Sequence, residues 1–368
     1  MIMNFLGKNR ALTLVLVLLL IMGISLAGCA EPAEEPAEPA EEPAEPVEEP
    51  AEPDEDPTDE IAELYDGATV TIKAGPSGSG VDIVARLFAK YFEDETGARV
   101  LVENYSEIGG LQSMNVLYGE DPDGLTMGCH MGDTTIQNRL LEEEAALYDL
   151  EDLEYIGSSS LAPMALWVAD DSPYEDVEDF MAASDLLQAG ASRLGYMAFW
   201  GTLAGDLMGL DFETIIGLAG PPGAKTSVMR DETQFTNIAI HTDGIAPDLR
   251  PVVLITDERH DLMPDVPALT EVVDFTDEEM EMLELAKDTV QFGPWFVLPP
   301  GTPQDIVDYL RDVFYDITTS EEFIEEAESA LGVWGVLSGQ EVEDGVQRLL
   351  ERRDEFEAVR QLVEGYYR

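Results

Sequence analysis

The chain has 368 residues, 77 of them Asp or Glu against 19 Lys or Arg, for a formal net charge of −58 at pH 7. That balance excludes nucleic acid as a partner, because phosphate contacts need clustered Lys and Arg. Residues 30–66 hold 17 acids and no base, and Lys8 and Arg10 precede them, so the remaining body keeps 60 acids against 17 bases. These acids spread over predicted helices, as in Asp277-Glu278-Glu279 and Glu321-Glu322, which is the pattern of a solvated surface suited to external salt.

In chain order, Lys8 and Arg10 stand before an apolar stretch from Ala11 to Ile21, the charged and apolar parts of an export signal. The stretch is shorter than the roughly 20 residues of a spanning helix. Leu26-Ala27-Gly28-Cys29 follows and resembles the box at which bacterial lipoprotein signals are cut. The resemblance implies that residues 1–28 are removed and that the Cys29 sulfur carries a diacylglycerol. Two or more acyl chains anchor a protein stably, so the chain is expected outside the cytoplasmic membrane, at the cell surface or in the periplasm. Residues 29–66 repeat Ala-Glu-Pro and Glu-Glu-Pro. Such a segment buries too little to offset its chain entropy, and proline and like charge extend it. It is predicted to be a disordered acidic stalk.

From Gly67 the pattern alternates. Strands are predicted at Thr69–Ala74, Arg99–Glu103, Leu125–Met131, Tyr155–Ser159, Met164–Ala169, Gln188–Ala191 and Phe235–Ile240. Helices are predicted at Val81–Glu95, Gly110–Tyr118, Val177–Ala183, Phe199–Met208, Ala224–Asp231, Pro303–Thr318, Glu321–Ala330 and Gln340–Glu364. Alternation of this kind argues for α/β layers with a mainly parallel sheet. A core this long divides in two. The reading is a two-lobed α/β fold, with lobe 1 over residues 67–168 plus 290–368 and lobe 2 over 169–289. Ligands of open α/β sheets bind beyond the carboxyl ends of strands, which places a cleft between the lobes. Crossing strands near Ala169 and about Val290 are the expected hinges.

With Cys29 lipidated, Cys129 has no disulfide partner and reads as a small buried hydrophobe. His130 adjoins it on the same strand and points to the other face.

Several segments together resemble one family. Ala74-Gly75-Pro76-Ser77-Gly78-Ser79-Gly80-Val81-Asp82 is similar to the first loop of the substrate receptors of tripartite tricarboxylate transporters. Val102-Glu103-Asn104, Ile108-Gly109-Gly110, Asp121-Pro122-Asp123-Gly124-Leu125-Thr126, Leu203-Ala204-Gly205-Asp206-Leu207, Met263 to Glu271 and Pro299-Pro300-Gly301-Thr302-Pro303 resemble later segments of the family in the same order. The resemblance implies a periplasmic binding protein of type II-like fold. It implies capture of a small carboxylate, delivery to membrane permease subunits, no cofactor and no metal, and a monomer. The first loop departs from the family in being interrupted by Pro76 and Ser77. The loop Ala191 to Trp200 lacks the family's small residues, which implies a larger or flatter ligand.

Bulk charge opposes an anion, so local donors must hold it. Helix N-termini offer unpaired N–H groups and a positive dipole end. Pro76, Ser77, Gly78, Ser79 and Asp82 around the first helix are expected at the ligand, as are Gly132, Asp133 and Thr134 after the third strand. Gly201 and Thr202 are expected to open the second-lobe helix. Arg193 matches a carboxylate by its fork, Tyr196 and Trp200 by stacking, and His241 and Thr242 complete the set. Ser79 as a helix cap, Trp200 as core and Arg193 as a surface ion pair are the structural alternatives. A hydrolase is disfavoured, since there is no Gly-x-Ser-x-Gly elbow and the three histidines include no metal-spaced pair. A sensing receptor would use the same cleft.

Overall fold

The computed structural model describes residues 57–105, 111–141, 144–160, 162–240 and 248–368. Cys29, His241 and Thr242 lie outside the described residues, as do the signal and the repeats of the stalk.

The first described element corrects the stalk's end. Pro57–Tyr65 is a helix, α1. Ile61, Leu64 and Tyr65 stand at i, i+3 and i+4, an apolar stripe hidden among acids. Tyr65 is fully buried. Its ring stacks on Tyr309 at 5.4 Å, and its hydroxyl donates to the Gly124 carbonyl at 3.1 Å. The folded body therefore begins before Gly67.

In the first sheet, β1 (Thr69–Ala74), α2 (Gly80–Thr96) and β2 (Arg99–Asn104) make a parallel crossover. α3 (Leu111–Tyr118) leads to β3 (Thr126–Met131), parallel to β1 on its other side. β4 (Glu154–Ser160), β10 (Phe292–Leu298) and β11 (Gly335–Ser338) join antiparallel, giving the order β11-β4-β10-β3-β1-β2. The second sheet runs β7-β6-β8-β5-β9, from β5 (Met164–Ala169), β6 (Leu186–Ala189), β7 (Phe212–Ile215), β8 (Phe235–Ala239) and β9 (Leu249–Leu254). β6 is parallel to β7 and β8, and β5 antiparallel to β8 and β9.

The sheets are thus mixed, not mainly parallel. Each has three parallel strands and an antiparallel remainder. β5 and β10 arrive from the other lobe and have no crossover helix to turn them parallel. Sheet membership changes between Ser160 and Met164, so β5 lies whole in the second sheet, ahead of the boundary read at 168. The chain returns to the first sheet at Phe292.

On one face of the first sheet, α2 packs with α10 (Gln304–Thr319) and α11 (Glu321–Leu331). Phe88 meets Phe92, Phe296 and Phe314 with ring centroids within 5.6 Å. Truncating such a ring costs about 3–5 kcal/mol. The other face carries α3, α4 (Gly132–Leu140) and α12 (Gly339–Leu350). Its core runs on into the second lobe through α6 (Tyr196–Leu207), α9 (Asp277–Val290) and α13 (Arg353–Val363). β3 turns Cys129 toward α2, with its Sγ 3.7 Å from the Val81 carbonyl, and burial pushes the thiol pKa far up.

The single helix expected over Gln340–Glu364 is two. Arg352, at φ −101° and ψ 21°, breaks it, and its guanidinium joins Asp288 to Glu355. α13 then leaves the first sheet for the second lobe. Phe356 meets Trp200 edge to face at 6.0 Å, and Tyr366 stacks on Phe212 at 4.5 Å. Tyr367 forms a parallel bridge with Thr214 of β7, and the Arg368 N–H donates to the Thr214 carbonyl at 3.0 Å.

Candidate functional site

Among the helices that start at the carboxyl ends of parallel strands are α2 after β1, α4 after β3 and α6 after β6.

At the first, Gly78 takes φ +80°, which glycine adopts without strain. Pro76, Ser77 and Gly78 are exposed at the loop tip, and Ser79 is half-buried. Ser79 caps α2, its Oγ accepting from the Asp82 N–H at 3.3 Å. Asp82 Oδ2 accepts from the Gly78 N–H at 2.8 Å. Asp82 Oδ1 accepts from Asn104 Nδ2 at 2.8 Å and Arg86 Nε at 2.9 Å. Asn104 Nδ2 also donates to the Gly75 carbonyl at 2.8 Å. Burial raises the Asp82 pKa, but the Gly78, Asn104 and Arg86 donors override it and hold the group below the usual carboxylate value. Asp82 therefore shapes the loop through these partners.

At the second, Gly132, Asp133 and Thr134 form the first turn of α4 and are all buried. Met131, at the N-cap, supplies no side-chain cap. A Cβ on Gly132 would meet Phe292 Cβ at 2.7 Å and Trp295 Cε3 at 2.8 Å. β10 shifts register against β4 between Phe292 and Trp295, beside this turn. Asp133 is 0% exposed. Its Oδ1 accepts from the Thr134 N–H and, at 3.1 Å, from the Thr134 hydroxyl. Its Oδ2 has no partner. Burial raises the Asp133 pKa to about 7 against those hydrogen bonds. The neutral form's contribution to stability is complete below about pH 4 and is lost as pH rises through about 7.

Neighbouring buried atoms are also unpaired. They are both amide atoms of Gln137, one turn along α4, both ring nitrogens of His130, and Trp295 Nε1. His130 and Trp295 are cross-strand neighbours. Burial lowers the His130 pKa to about 3, so its imidazole is neutral.

At the third, the expected helix start is corrected. α6 begins at Tyr196 after Gly195, so Gly201 and Thr202 lie inside it. Thr202 Oγ1 bonds Gln188 Oε1 at 3.0 Å and Thr214 Oγ1 at 2.8 Å. A Cβ on Gly201 would meet Gln188 Nε2 at 2.2 Å. Both residues fasten α6 to its sheet. The N–H groups that precede the helical ladder belong to Tyr196 and Met197. Asn237 Nδ2 donates to the Tyr196 carbonyl at 2.9 Å, while Asn237 Oδ1 is unpaired. Burial, then the charge of Asp133, raises the Tyr196 pKa. α4 and α6, from different sheets, pack against the same two helices, α9 and α13. Trp200 is only 1% exposed, its ring set edge-on to Phe199 at 4.8 Å. It is core, unavailable for stacking on a ligand.

Arg193 is drawn elsewhere. It is exposed, with its guanidinium 5.1 Å from the Tyr367 ring centroid. The Tyr367 hydroxyl donates to the Arg193 carbonyl at 2.8 Å. With Leu141, Phe199 and Arg360 it lines a cavity of about 110 Å³. Leu141 caps the end of α4 opposite Asp133, about 12 Å of helix away. Arg193→Ala is expected to change carboxylate affinity by about fivefold or less, since a surface cation–π contact is worth only ~0.5–1 kcal/mol. A tenfold loss by calorimetry would return it to the ligand. Another concavity, of about 480 Å³, sits on the second lobe between Glu175, Asp176, Glu178, Asp265 and Glu271 on one hand and Arg250 and Arg259 on the other. Its excess of acids disfavours an anion.

Residues 84–353 match the family model described as tripartite tricarboxylate transporter family receptor. The chain belongs to that family. No curated protein matches it. Among solved structures, a TctC solute-binding protein from Polaromonas aligns at 19% identity and TM-score 0.59, over 80% of this chain and 99% of that one. MatC from Rhodopseudomonas palustris, with bound malate, aligns at 19% identity and TM-score 0.62, over 78% and 98%. A second R. palustris protein, with adipate, aligns at 19% identity and TM-score 0.64, over 80% and 97%. At this identity the likenesses establish the fold, that of two-lobed solute-binding proteins. The family places the receptor among extracytoplasmic substrate-binding proteins and not among enzymes.

Proposed function

We propose that this receptor captures a small organic carboxylate between its lobes and hands it to the membrane permease subunits of a tripartite tricarboxylate transporter. It does so as a monomer, tethered outside the cell by lipid on Cys29, with the acidic repeats as spacer. The observation that carries the reading is the set of three helix starts, α2, α4 and α6, at the carboxyl ends of β1, β3 and β6. Backbone N–H groups and helix dipoles bind an anion without a basic pocket, which is what so acidic a chain needs. The malate and adipate held by two neighbours of the same fold support the ligand class. The lobes, one built on the six-stranded sheet and one on the five-stranded sheet, close by hinge motion where the chain crosses between Ser160 and Met164 and before Phe292.

A thermal-shift screen against mono-, di- and tricarboxylates, run in molar salt, tests the ligand class. A ligand at about 100 times its Kd adds ~2.7 kcal/mol, a rise of several degrees for a domain of this size. Silence toward every carboxylate, with a response to sugars or peptides, would overturn it.

A further inference from the structure

We propose that Asp133 meets the ligand as the neutral acid, donating its Oδ2 proton to a ligand carboxylate, so that the receptor takes up the anion together with a proton. The inference rests on the carboxylate reading above and adds the chemistry of one contact. Asp133 Oδ1 accepts two hydrogen bonds from Thr134, as the carbonyl oxygen of a protonated carboxyl would. Oδ2 is then the hydroxyl, and it is buried without an acceptor. It stands in the first turn of α4, within electrostatic reach of Tyr196 at the start of α6. A carboxylate at those two helix starts supplies the missing acceptor. A second ionised carboxylate in the same buried place would instead repel it.

No basic side chain among the described residues is placed to ionise Asp133. His130 on β3 is neutral, β10 offers Phe292 and Trp295, and α3 has no charged residue. On α9, Lys287 pairs with Asp257 and Glu284 and Asp288 with Arg352. On α13, Arg360 pairs with Glu357 and Glu364. Burial of the group in the apo receptor sets its ionisation near neutrality, so neutral pH is where binding and proton uptake couple.

Calorimetry of the purified protein with malate and with adipate, from about pH 6.5 to 9 in paired buffers of different ionisation enthalpy, tests this. At pH 8 the wild type should take up close to one proton per ligand, and affinity should fall toward tenfold per pH unit above about 7. Asp133→Asn keeps an N–H donor of the same shape. It should bind with neither the slope nor the uptake. Wild-type binding with no proton uptake between pH 7 and 8.5, or uptake retained in Asp133→Asn, overturns the inference and leaves the carboxylate reading standing. Failure to bind any carboxylate at any pH overturns both.

Discussion

Asp82→Ala is expected to lower stability by about 2–3 kcal/mol and carboxylate affinity tenfold or more. One carboxylate collects the Gly78 N–H, the Asn104 amide and the Arg86 guanidinium. Hydrogen bonds to a charged group are worth roughly 1.5–3 kcal/mol, and each donor left behind in a half-buried loop adds a desolvation penalty. Arg86 is exposed enough to find water, so the loss falls mainly on the Gly78 turn and Asn104. These set the conformation of the loop before α2, which explains the loss of affinity. Asp82→Asn should be nearly as damaging, because its amide nitrogen would face donors. The pKa of Asp82 is held low in the folded protein. Its contribution is therefore present above about pH 4 and lost as pH falls below that. Urea melts and calorimetry on both variants decide the matter. An unchanged melt with unchanged affinity would make the clamp dispensable.

The melting temperature should rise by on the order of 5–10 °C between 0.1 M and 1 M sodium chloride. The body carries 60 acids against 17 bases, and most of the basic side chains are already engaged in ion pairs, Lys287, Arg352 and Arg360 with two acids each. The remaining acids repel across the surface. Screening shortens that repulsion from about 10 Å to 3 Å over this range, and relief of a few kcal/mol moves the midpoint by several degrees. Sucrose, which is uncharged, should not reproduce the rise at equal osmolarity. A midpoint unmoved by salt would mean that the charges are too far apart to matter.

Elements with a strong local signal were legible in the sequence. Ser79 before Val81 marks α2, since a hydroxyl cap followed by an amphipathic run is a local statement. β5 shows in Met164–Ala169 because every residue but the last is buried. The start of α6 was obscured for a physical reason. Met197, Ala198, Phe199, Trp200 and Leu203 are buried all round the helix, so no polar face marks where it begins, and Gly195 offers no capping side chain. α1 was missed because three apolar residues lie among acids. β11 is four half-buried residues at a sheet edge, too short for an alternation. That Ser79 and Asp133 sit at helix starts was readable from the order of strand, loop and helix. The unpaired oxygen of Asp133 was not, nor the unpaired polar atoms of Gln137, Asn237 and Trp295, because these depend on what packs around them from distant parts of the chain. The contact of Arg193 with Tyr367 was not legible, because the two lie far apart along the chain.

Tyr367 and Arg368 have a consequence beyond the site. β7 is the outer strand of the five-stranded sheet, and its backbone at Thr214 is engaged by these two residues. Arg368 also pairs with Glu213 of the same strand at 2.9 Å. A bare outer strand is a template on which a second chain can add a ladder and begin to aggregate. Here the chain's own Tyr367 and Arg368 occupy that template at Thr214, which blocks sheet-to-sheet association at this strand.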